Sequence, residues 1–418
     1  MSSARLRAAE PIIKATIDEY TTGANRRIAG LYYTAVRGDG ELLFEYASGT
    51  RGLHCPEPMS EDTVFWLASF TKLCTSIAAM QLVERGVLDL DNSQQLESIA
   101  PELRDIKVLQ GNKGGGLLVP KMGSITLRML LTHTAGFGYA FEDEKLAEYG
   151  RPVGLDDFCG EPSDLFRRPL VNHPGEKFQY GTSMDWVGIL IERVTGISLE
   201  LYFRENIFQP LGIESITFHP SEEHVTNLAY MHRRNKDGSL AHADHIYSEP
   251  LRAATSPSRD NVFCAGGHGC FGKPSDFAKI IAMLLNQGRD ATTGREILQK
   301  YTVKEMFRDQ LVDKPRYSSE SVPVAKPWLA NPTPLFPVAS DHTEGWGLSF
   351  SISHFPHSTG RAAGSASWEG LANLFWFADP VNNVGGIIAS QILPYGDASV
   401  IECSDRVEKM VYSSLGIS

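Results

Sequence analysis

The stretch FWLASFTKLCTSIAAMQLVERGVLDLD, residues 65–91, holds the only Ser-x-x-Lys of the chain, formed by Ser69 and Lys72. Apolar residues follow at helical spacing until Gly86, which predicts a helix from Ser69 to Arg85. Side chains three residues apart share a helix face, so the amine of Lys72 can reach the hydroxyl of Ser69. A helix start favours negative charge on that oxygen, and a serine needs a base to become nucleophilic. The stretch therefore predicts either a nucleophile with its base or a plain helix cap beside a solvated lysine.

A second stretch, HPGEKFQYGTSMDWVGILIERVTG (173–196), places Tyr180 in a short turn before a predicted helix over 183–195. A tyrosine in such a turn can pass a proton to a leaving group if a neighbouring lysine lowers its pKa. Taken alone, the pattern also fits a tyrosine of an amphipathic core. This stretch therefore adds a candidate proton donor whose role depends on what lies beside it.

A third stretch, SASWEGLANLFWFADP (365–380), predicts a strand that begins with Trp-Glu-Gly. Gly370 permits the close approach of another backbone. The N–H of Leu371 can then form an oxyanion hole together with the N–H of Ser69. Because side chains alternate along a strand, Trp368 and the glutamate after it point to opposite faces.

Composition and charge exclude several classes of function. The 418-residue chain has a net charge of -11 and a pI of about 5.6, whereas a nucleic-acid binder needs a basic face. The sequence has no apolar run that fits a signal peptide or a membrane span, so we expect a cytoplasmic protein without a membrane partner. No cofactor or metal is predicted. Six scattered cysteines are expected to be free thiols: Cys55, Cys74, Cys159, Cys264, Cys270 and Cys403.

Strand patterns lie at both ends of the chain, and helical patterns fill its middle. Residues 30–48 predict a hairpin around Gly38-Asp39-Gly40, and three further strand patterns lie beyond residue 344. We therefore predict a single domain whose sheet is assembled from both ends of the chain. Its expected α/β part spans about 10–90 and 260–418, and its helical part about 91–259. The proline-rich residues 312–342 form a candidate lid.

Together, the Ser-x-x-Lys, the tyrosine turn and the C-terminal glycine strand resemble the serine β-lactamase and penicillin-binding protein superfamily, in particular its class C and family VIII esterase branch. ITLRMLLTHTAGFGY (125–139) and CAGGHGCFGKPSDFAKIIAMLL (264–285) lie where that branch carries similar segments. The stretch that begins at residue 173 and the LFWFADP strand are also similar to fungal transesterases of the lovastatin acyltransferase type. The resemblance covers residues from about 10 to 415.

This resemblance implies a β-lactamase/transpeptidase-like α/β (α+β) fold, with an antiparallel sheet flanked by helices and a mostly helical subdomain. It implies Ser69 as the nucleophile, Lys72 as its activating base and Tyr180 as the proton shuttle. The backbone N–H groups of Ser69 and Leu371 would bind the oxyanion. The residue patterns described above indicate the same roles for these residues.

The sequence departs from the β-lactamase pattern at two places. Thr182 stands where the usual tyrosine turn carries an amide-binding asparagine. Trp368 stands where a Lys-Thr-Gly strand carries the lysine that would hold a β-lactam carboxylate. Both changes weaken the recognition of anionic amides, and an aromatic wall suits a neutral apolar acyl group. We expect Trp368, Gly370 and Thr182 to contact the substrate.

The predicted function is serine-dependent acyl transfer through an acyl-Ser69 intermediate, as a transesterase or a carboxylesterase, with a connection to secondary metabolism. The partners would be a small-molecule ester or thioester donor, with an acyl-carrier protein as one source, and an alcohol or water as acceptor. Two alternatives stay open: a β-lactamase or D-amino-acid peptidase-like hydrolase, and a catalytically silent binding protein. His133 is expected to be a buried, hydrogen-bonded brace and not a catalytic base.

Overall fold

The computed structural model describes residues 2–111, 116–313, 323–333 and 343–417. Its α-helices are α1 (Ser2–Thr21), α2 (Thr71–Glu84), α3 (Ser93–Ile99), α4 (Glu102–Asp105), α5 (Leu127–Leu131), α6 (Glu144–Glu148), α7 (Ser163–Arg167), α8 (Ser183–Thr195), α9 (Leu199–Phe203), α10 (Glu222–Thr226), α11 (Glu249–Arg252), α12 (Pro274–Leu285), α13 (Lys300–Met306) and α14 (Ala398–Leu415). Short 3-10 helices span Ala68–Phe70, Gln209–Leu211, Ala253–Thr255 and Arg259–Asn261, and Arg204–Phe208 is a π-helix.

The strands are β1 (Gly30–Val36), β2 (Leu42–Gly49), β3 (Phe65–Trp66), β4 (Lys107–Gln110), β5 (Leu117–Pro120), β6 (His232–Arg234), β7 (Leu240–His242), β8 (Phe271–Gly272), β9 (Glu344–Trp346), β10 (Ser351–Ser353), β11 (Ala366–Gly370), β12 (Leu374–Asp379), β13 (Val384–Ala389) and β14 (Ile392–Leu393). Within the described ranges, seven of them form one sheet in the order β2-β1-β13-β12-β11-β10-β9, and β14, β6 and β7 form a second.

The large sheet joins the two ends of the chain. Every neighbouring pair in it is antiparallel, and β1 lies between its hairpin partner β2 and the C-terminal strand β13. The hairpin and the sheet assembled from both ends of the chain, both predicted from the sequence, are confirmed. The domain boundaries drawn from the sequence stay a prediction.

Both faces of the large sheet are covered by helices. All seven residues of β1 are buried, and their side chains alternate between two apolar clusters. Tyr33 packs in the cluster under α1 and α14, whereas Tyr32 packs in the larger cluster that includes α2, α8 and α12. The larger cluster therefore connects the sheet to the helices that carry the candidate catalytic residues.

The N-terminal helix α1 was not predicted from the sequence. Pro11 lies inside it, and a proline within a helical pattern normally argues against a helix because it lacks an N–H. Ile13, Ile17 and Tyr20 of α1 are fully buried against α14 and the sheet. Tertiary packing therefore outweighs the local signal of the proline. In the described part of the chain, no helix has the length and apolar character that crossing a membrane requires.

The candidate lid, residues 312–342, lies largely outside the described residues. In its described part, the N–H groups of Ala325 and Lys326 both donate to the carbonyl of Phe141 at 2.9 Å. Asn331 donates to the carbonyl of Tyr395. Trp328 lies in this described part and is 57% exposed.

Candidate active site

Ser69 lies in a tight helical turn that precedes helix α2. The turn is the 3-10 helix Ala68–Phe70, and α2 begins at Thr71, so the predicted start of the α-helix at Ser69 is two residues early. Ala68 has a φ of 46°, in the left-handed region, which costs a non-glycine residue about 1–2 kcal/mol. Strain of this kind beside a reactive side chain is typical of functional sites.

The hydroxyl of Ser69 contacts two groups that can exchange protons. Lys72 Nζ lies 2.9 Å from Ser69 Oγ, and the phenolic O–H of Tyr180 donates to the same oxygen at 2.8 Å. Ser69 keeps partial exposure, whereas Lys72 is fully buried. The structure therefore brings together the three residues that the sequence named as catalytic candidates, with the serine facing the open side.

Lys72 is held by two further oxygens. Its Nζ donates to the carbonyl of Gly267 at 2.8 Å and to the hydroxyl of Tyr139 at 3.1 Å. Burial lowers the pKa of Lys72 to about 7, although the nearby Asp185 and Glu142 carboxylates act in the opposite direction. A neutral amine can donate two N–H groups to Gly267 and Tyr139 and still present its lone pair to the serine. The site therefore suits Lys72 to a role as proton acceptor near neutral pH.

Tyr180 stays a proton donor in this environment. The condition stated for this role, a lysine that lowers the pKa of Tyr180, is not met: burial raises the pKa of Tyr180, outweighing its hydrogen bonds to Ser69 and Trp368. The indole Nε1–H of Trp368 donates to the phenolic oxygen at 3.1 Å. Tyr180 is therefore a neutral phenol that can give its proton only as another proton arrives.

Aromatic rings surround this phenol. The rings of Trp346 and Trp368 meet edge to face at 4.6 Å, and His133 lies 4.7 Å from the Tyr180 ring. His133 is buried as predicted, but among the described residues neither of its ring nitrogens has a hydrogen-bond partner. The prediction that this histidine is hydrogen-bonded is wrong, and burial keeps it neutral by holding its pKa well below the usual value.

The remaining predicted residues occupy different places. An added Cβ on Gly370 would lie 3.1 Å from the carbonyl of Leu67, so the end of β11 closely approaches the backbone before Ser69. Leu371, which follows, is buried. The hydroxyl of Thr182 is buried and has no hydrogen-bond partner in the described part of the chain, and the residue lines a small cavity with Asp185. The oxyanion-hole and substrate-binding roles stay predictions.

A cavity of about 590 Å³ lies beside this site without including its reactive atoms. Its lining includes Glu142, which is close enough to Lys72 to affect its pKa, and Asn172, whose amide donates to Gln179 at 3.1 Å. Burial raises the pKa of Glu142 to about 8. Ser69, Lys72 and Tyr180 do not line this cavity, so it is a neighbouring space and not the reaction centre itself.

Two groups that hold Lys72, the hydroxyl of Tyr139 and the carbonyl of Gly267, were not predicted from the sequence. Tyr139 ends the quoted stretch 125–139, and Gly267 lies in the glycine-rich stretch 264–285. Spacing along the chain gives no indication that either reaches Lys72. Only their position within segments that resemble the superfamily pointed to this part of the fold.

A family model described as Beta-lactamase matches residues 13–401. The chain belongs to the β-lactamase family. Within this family it is similar to a monacolin J acid methylbutanoyltransferase from Aspergillus terreus, with 32% identity over 420 residues and 97% of each chain covered. It is 34% identical over 381 residues to a lovastatin esterase from Penicillium rubens, covering 88% of this chain and 90% of the esterase.

A solved structure of simvastatin synthase from Aspergillus terreus, in its LovD6 mutant form, shares the fold. The TM-score is 0.82 at 30% identity, and 98% of each chain is covered. These relatives are acyltransferases and an esterase, so this β-lactamase family member is an enzyme of serine-dependent acyl transfer that acts on esters.

Proposed function

We propose that this enzyme transfers an acyl group from a small-molecule ester or thioester to Ser69 and then to an alcohol, with water as the alternative acceptor. The observation that carries the proposal is the position of Ser69 Oγ, which lies 2.9 Å from Lys72 Nζ and 2.8 Å from the Tyr180 hydroxyl. One oxygen thus has a proton acceptor and a proton donor within hydrogen-bond distance, the arrangement that nucleophilic catalysis needs.

In the acylation step, neutral Lys72 takes the proton of Ser69 while Oγ attacks the acyl carbonyl. The backbone N–H groups of Ser69 and Leu371 are proposed to hold the resulting oxyanion; the close approach of Gly370 to the backbone before Ser69 supports this. When the bond to the leaving group breaks, Tyr180 gives its proton to the departing alkoxide or thiolate. Lys72 returns its proton to the phenol, so the site ends neutral with an ester on Ser69.

Deacylation reverses these roles on a new acceptor. The acceptor's O–H gives its proton to the Tyr180–Lys72 pair as its oxygen attacks the acyl carbonyl, and Ser69 regains a proton as it leaves. Because burial raises the pKa of Tyr180, a tyrosinate does not persist between the steps. Tyr180 keeps its proton, and Lys72 stays neutral until the proton of the acceptor arrives. An alcohol acceptor yields a new ester, whereas water yields the free acid.

The aromatic surroundings support an apolar acyl group. The ring of Trp368 packs against Tyr180, the ring of Trp346 packs against Trp368, and Trp368 stands where β-lactamases carry a lysine. We propose a neutral, apolar acyl chain and an acceptor from secondary metabolism, supported by the relatives named for the acylation of monacolin J acid and for lovastatin.

We propose an acyl-carrier protein as one source of a thioester donor, and we propose that the enzyme works in the cytoplasm. All six cysteines are free thiols, four of them buried, as in proteins of reducing compartments. Acyl-carrier and coenzyme A thioesters are products of such compartments.

Comparing a carrier-protein thioester with the matching N-acetylcysteamine thioester tests the source of the donor. A carrier-protein partner predicts a lower KM for the protein-bound donor.

Intact-mass spectrometry tests the function directly. Wild-type enzyme incubated with a panel of acyl thioesters should gain the mass of one acyl group, located on the peptide that contains Ser69. Ser69→Ala should gain none and should lose p-nitrophenyl ester turnover by several orders of magnitude. Ser98→Ala, a change at an exposed serine, is the matched control and should behave as wild type. Turnover above about a tenth of wild type in Ser69→Ala contradicts the proposal.

A further inference from the structure

A buried carboxylate lies behind the candidate base. Asp185 stands in the first turn of α8, five residues after Tyr180, and is 2% exposed. Its Oδ1 accepts a hydrogen bond from the backbone N–H of Gly267 at 2.9 Å. The carbonyl of the same glycine accepts from Lys72 Nζ at 2.8 Å. Asp185 and Lys72 therefore hold Gly267 from its two sides.

We propose that Asp185 is a positioning residue, which fixes the Gly267 carbonyl against Lys72 and supplies the negative charge that sets when this lysine loses its proton. This inference rests on the proposed function, in which Lys72 is the base for Ser69. Asp185 does not contact Ser69, and it acts through the glycine and through its charge.

The close packing of the glycine turn supports the positioning part. An added Cβ on Gly267 would lie 2.8 Å from Asp185 Oδ2, and one on Gly266 would lie 2.7 Å from the carbonyl of Met184. Only glycine lets the turn lie this near to the start of α8. The turn therefore has no room to shift while Asp185 is in place, and the Gly267 carbonyl stays directed at the lysine.

The charge of Asp185 opposes the effect of burial on Lys72. Its carboxylate raises the pKa of Lys72, as does that of Glu142 to a smaller extent. Burial raises the pKa of Asp185, whereas Lys72, the Gly267 N–H and the Arg168 guanidinium favour its ionised form. Its Oδ2 has no hydrogen-bond partner among the described residues, so no direct ion pair cancels the charge.

Apart from Glu142, whose own pKa burial raises to about 8, the other titratable groups facing Lys72 are neutral. Burial lowers the pKa of His268 to about 3 and holds that of His133 well below its usual value. His268 Nδ1 lies 3.8 Å from Asp185 Oδ1, beyond hydrogen-bond distance. Tyr139 and Tyr180 are phenols with raised pKa values. Asp185 is thus the carboxylate with the largest influence on this lysine.

The test is the pH dependence of Ser69 acylation in Asp185→Asn. The burst of p-nitrophenol and the intact mass of the protein measure this acylation. Asparagine keeps the shape and an oxygen for the Gly267 N–H but removes the charge. The pKa of Lys72 should fall, so the acid limb of the rate profile should move to lower pH by about one unit. Glu192→Gln is the matched control. Glu192 lies on the same helix, and its carboxylate also accepts a hydrogen bond from a backbone N–H, that of Leu199 at 2.8 Å. The change therefore removes a comparable charge from α8.

An acid limb at the wild-type pH in Asp185→Asn, or an equal shift in Glu192→Gln, would overturn the inference. Should Asp185→Asn fail to fold, Asp185→Glu carries the test. Asp185→Glu keeps the charge but displaces the glycine turn. The acid limb of the rate profile should therefore stay at its wild-type pH, while the maximal acylation rate falls at least about tenfold. A maximal rate equal to that of wild type would overturn the positioning role. Failure of the proposed function looks different, since wild-type enzyme would then form no adduct on Ser69.

Discussion

The indole Nε1–H of Trp368 donates a hydrogen bond to the phenolic oxygen of Tyr180 over 3.1 Å. The phenol in turn donates to Ser69 at 2.8 Å, so the indole, the phenol and the serine form one chain of hydrogen bonds. The residue that stands in place of the β-lactamase lysine thus hydrogen-bonds the proposed proton shuttle and is also a candidate wall of the acyl site. Replacing that lysine with tryptophan changes both the charge and the hydrogen bonding of the site.

Trp368→Phe should lower kcat for ester turnover by roughly three- to tenfold, the usual value of one hydrogen bond. The change keeps an aromatic ring but removes the N–H that donates to Tyr180, together with part of the ring volume, and the control variant accounts for the lost volume. Trp376→Phe is the matched control: Trp376 pairs directly with Trp368 on the neighbouring strand, is buried, and has no hydrogen-bond partner on Nε1 among the described residues. Equal losses of kcat in the two variants would show that the indole N–H is unimportant.

Lys72→Ala and Tyr180→Phe should each lower kcat/KM by about a hundredfold or more, the range of general acid–base catalysis. The double variant should lose much less than the product of the single losses, because both residues act on one proton path. Steady-state kinetics with p-nitrophenyl butyrate measure all four proteins. Losses that multiply in the double variant would argue against a shared relay.

Lys72→Met should flatten the dependence of stability on pH between about pH 7 and 10. In the folded enzyme burial lowers the pKa of Lys72 to about 7, whereas an unfolded lysine titrates near about 10.4. Between these values the unfolded chain binds more protons, so the free energy of unfolding should rise with pH by up to about 1.4 kcal/mol per unit through this group. Urea unfolding of both proteins at pH 7, 8 and 9 gives the slope of the free energy of unfolding against pH.

The comparison with Lys72→Met removes the contributions of other groups, such as the buried cysteines whose raised pKa values act in the opposite direction. The stability difference, wild type minus variant, should grow with pH by about 1 kcal/mol per unit. Parallel slopes in the two proteins would mean that Lys72 is not a buried amine with a lowered pKa.

A chromogenic cephalosporin should be hydrolysed slowly or not at all relative to simple esters. Trp368 and Thr182 stand where β-lactamases carry the lysine and asparagine that bind an anionic amide substrate, and Trp368 lies against Tyr180. We expect kcat/KM for the cephalosporin to be at least about a thousandfold lower than for p-nitrophenyl butyrate. Comparable values would favour the alternative of a β-lactamase or peptidase-like hydrolase.

Much of the fold could be predicted from local patterns. The hairpin of β1 and β2 follows from its turn residues, and α8 and α12 follow from apolar spacing with glycine or proline at their ends. The helix α1 could not be predicted, because its stability comes from contacts with α14, more than 370 residues away along the chain. A proline in its middle gave the opposite local signal.

The sequence by itself determined that Lys72 can reach Ser69, because residues three apart in a helical turn share a face. Gly370 indicated that another backbone can approach the Trp-Glu-Gly strand closely, and the resemblance to the superfamily placed this strand beside Ser69. Only the tertiary structure decided that Tyr180 and Trp368 form one chain of hydrogen bonds with Ser69, and that Gly267 and Asp185 stand behind the lysine. These contacts join distant segments, and the pKa values they set depend on burial, which no local pattern encodes.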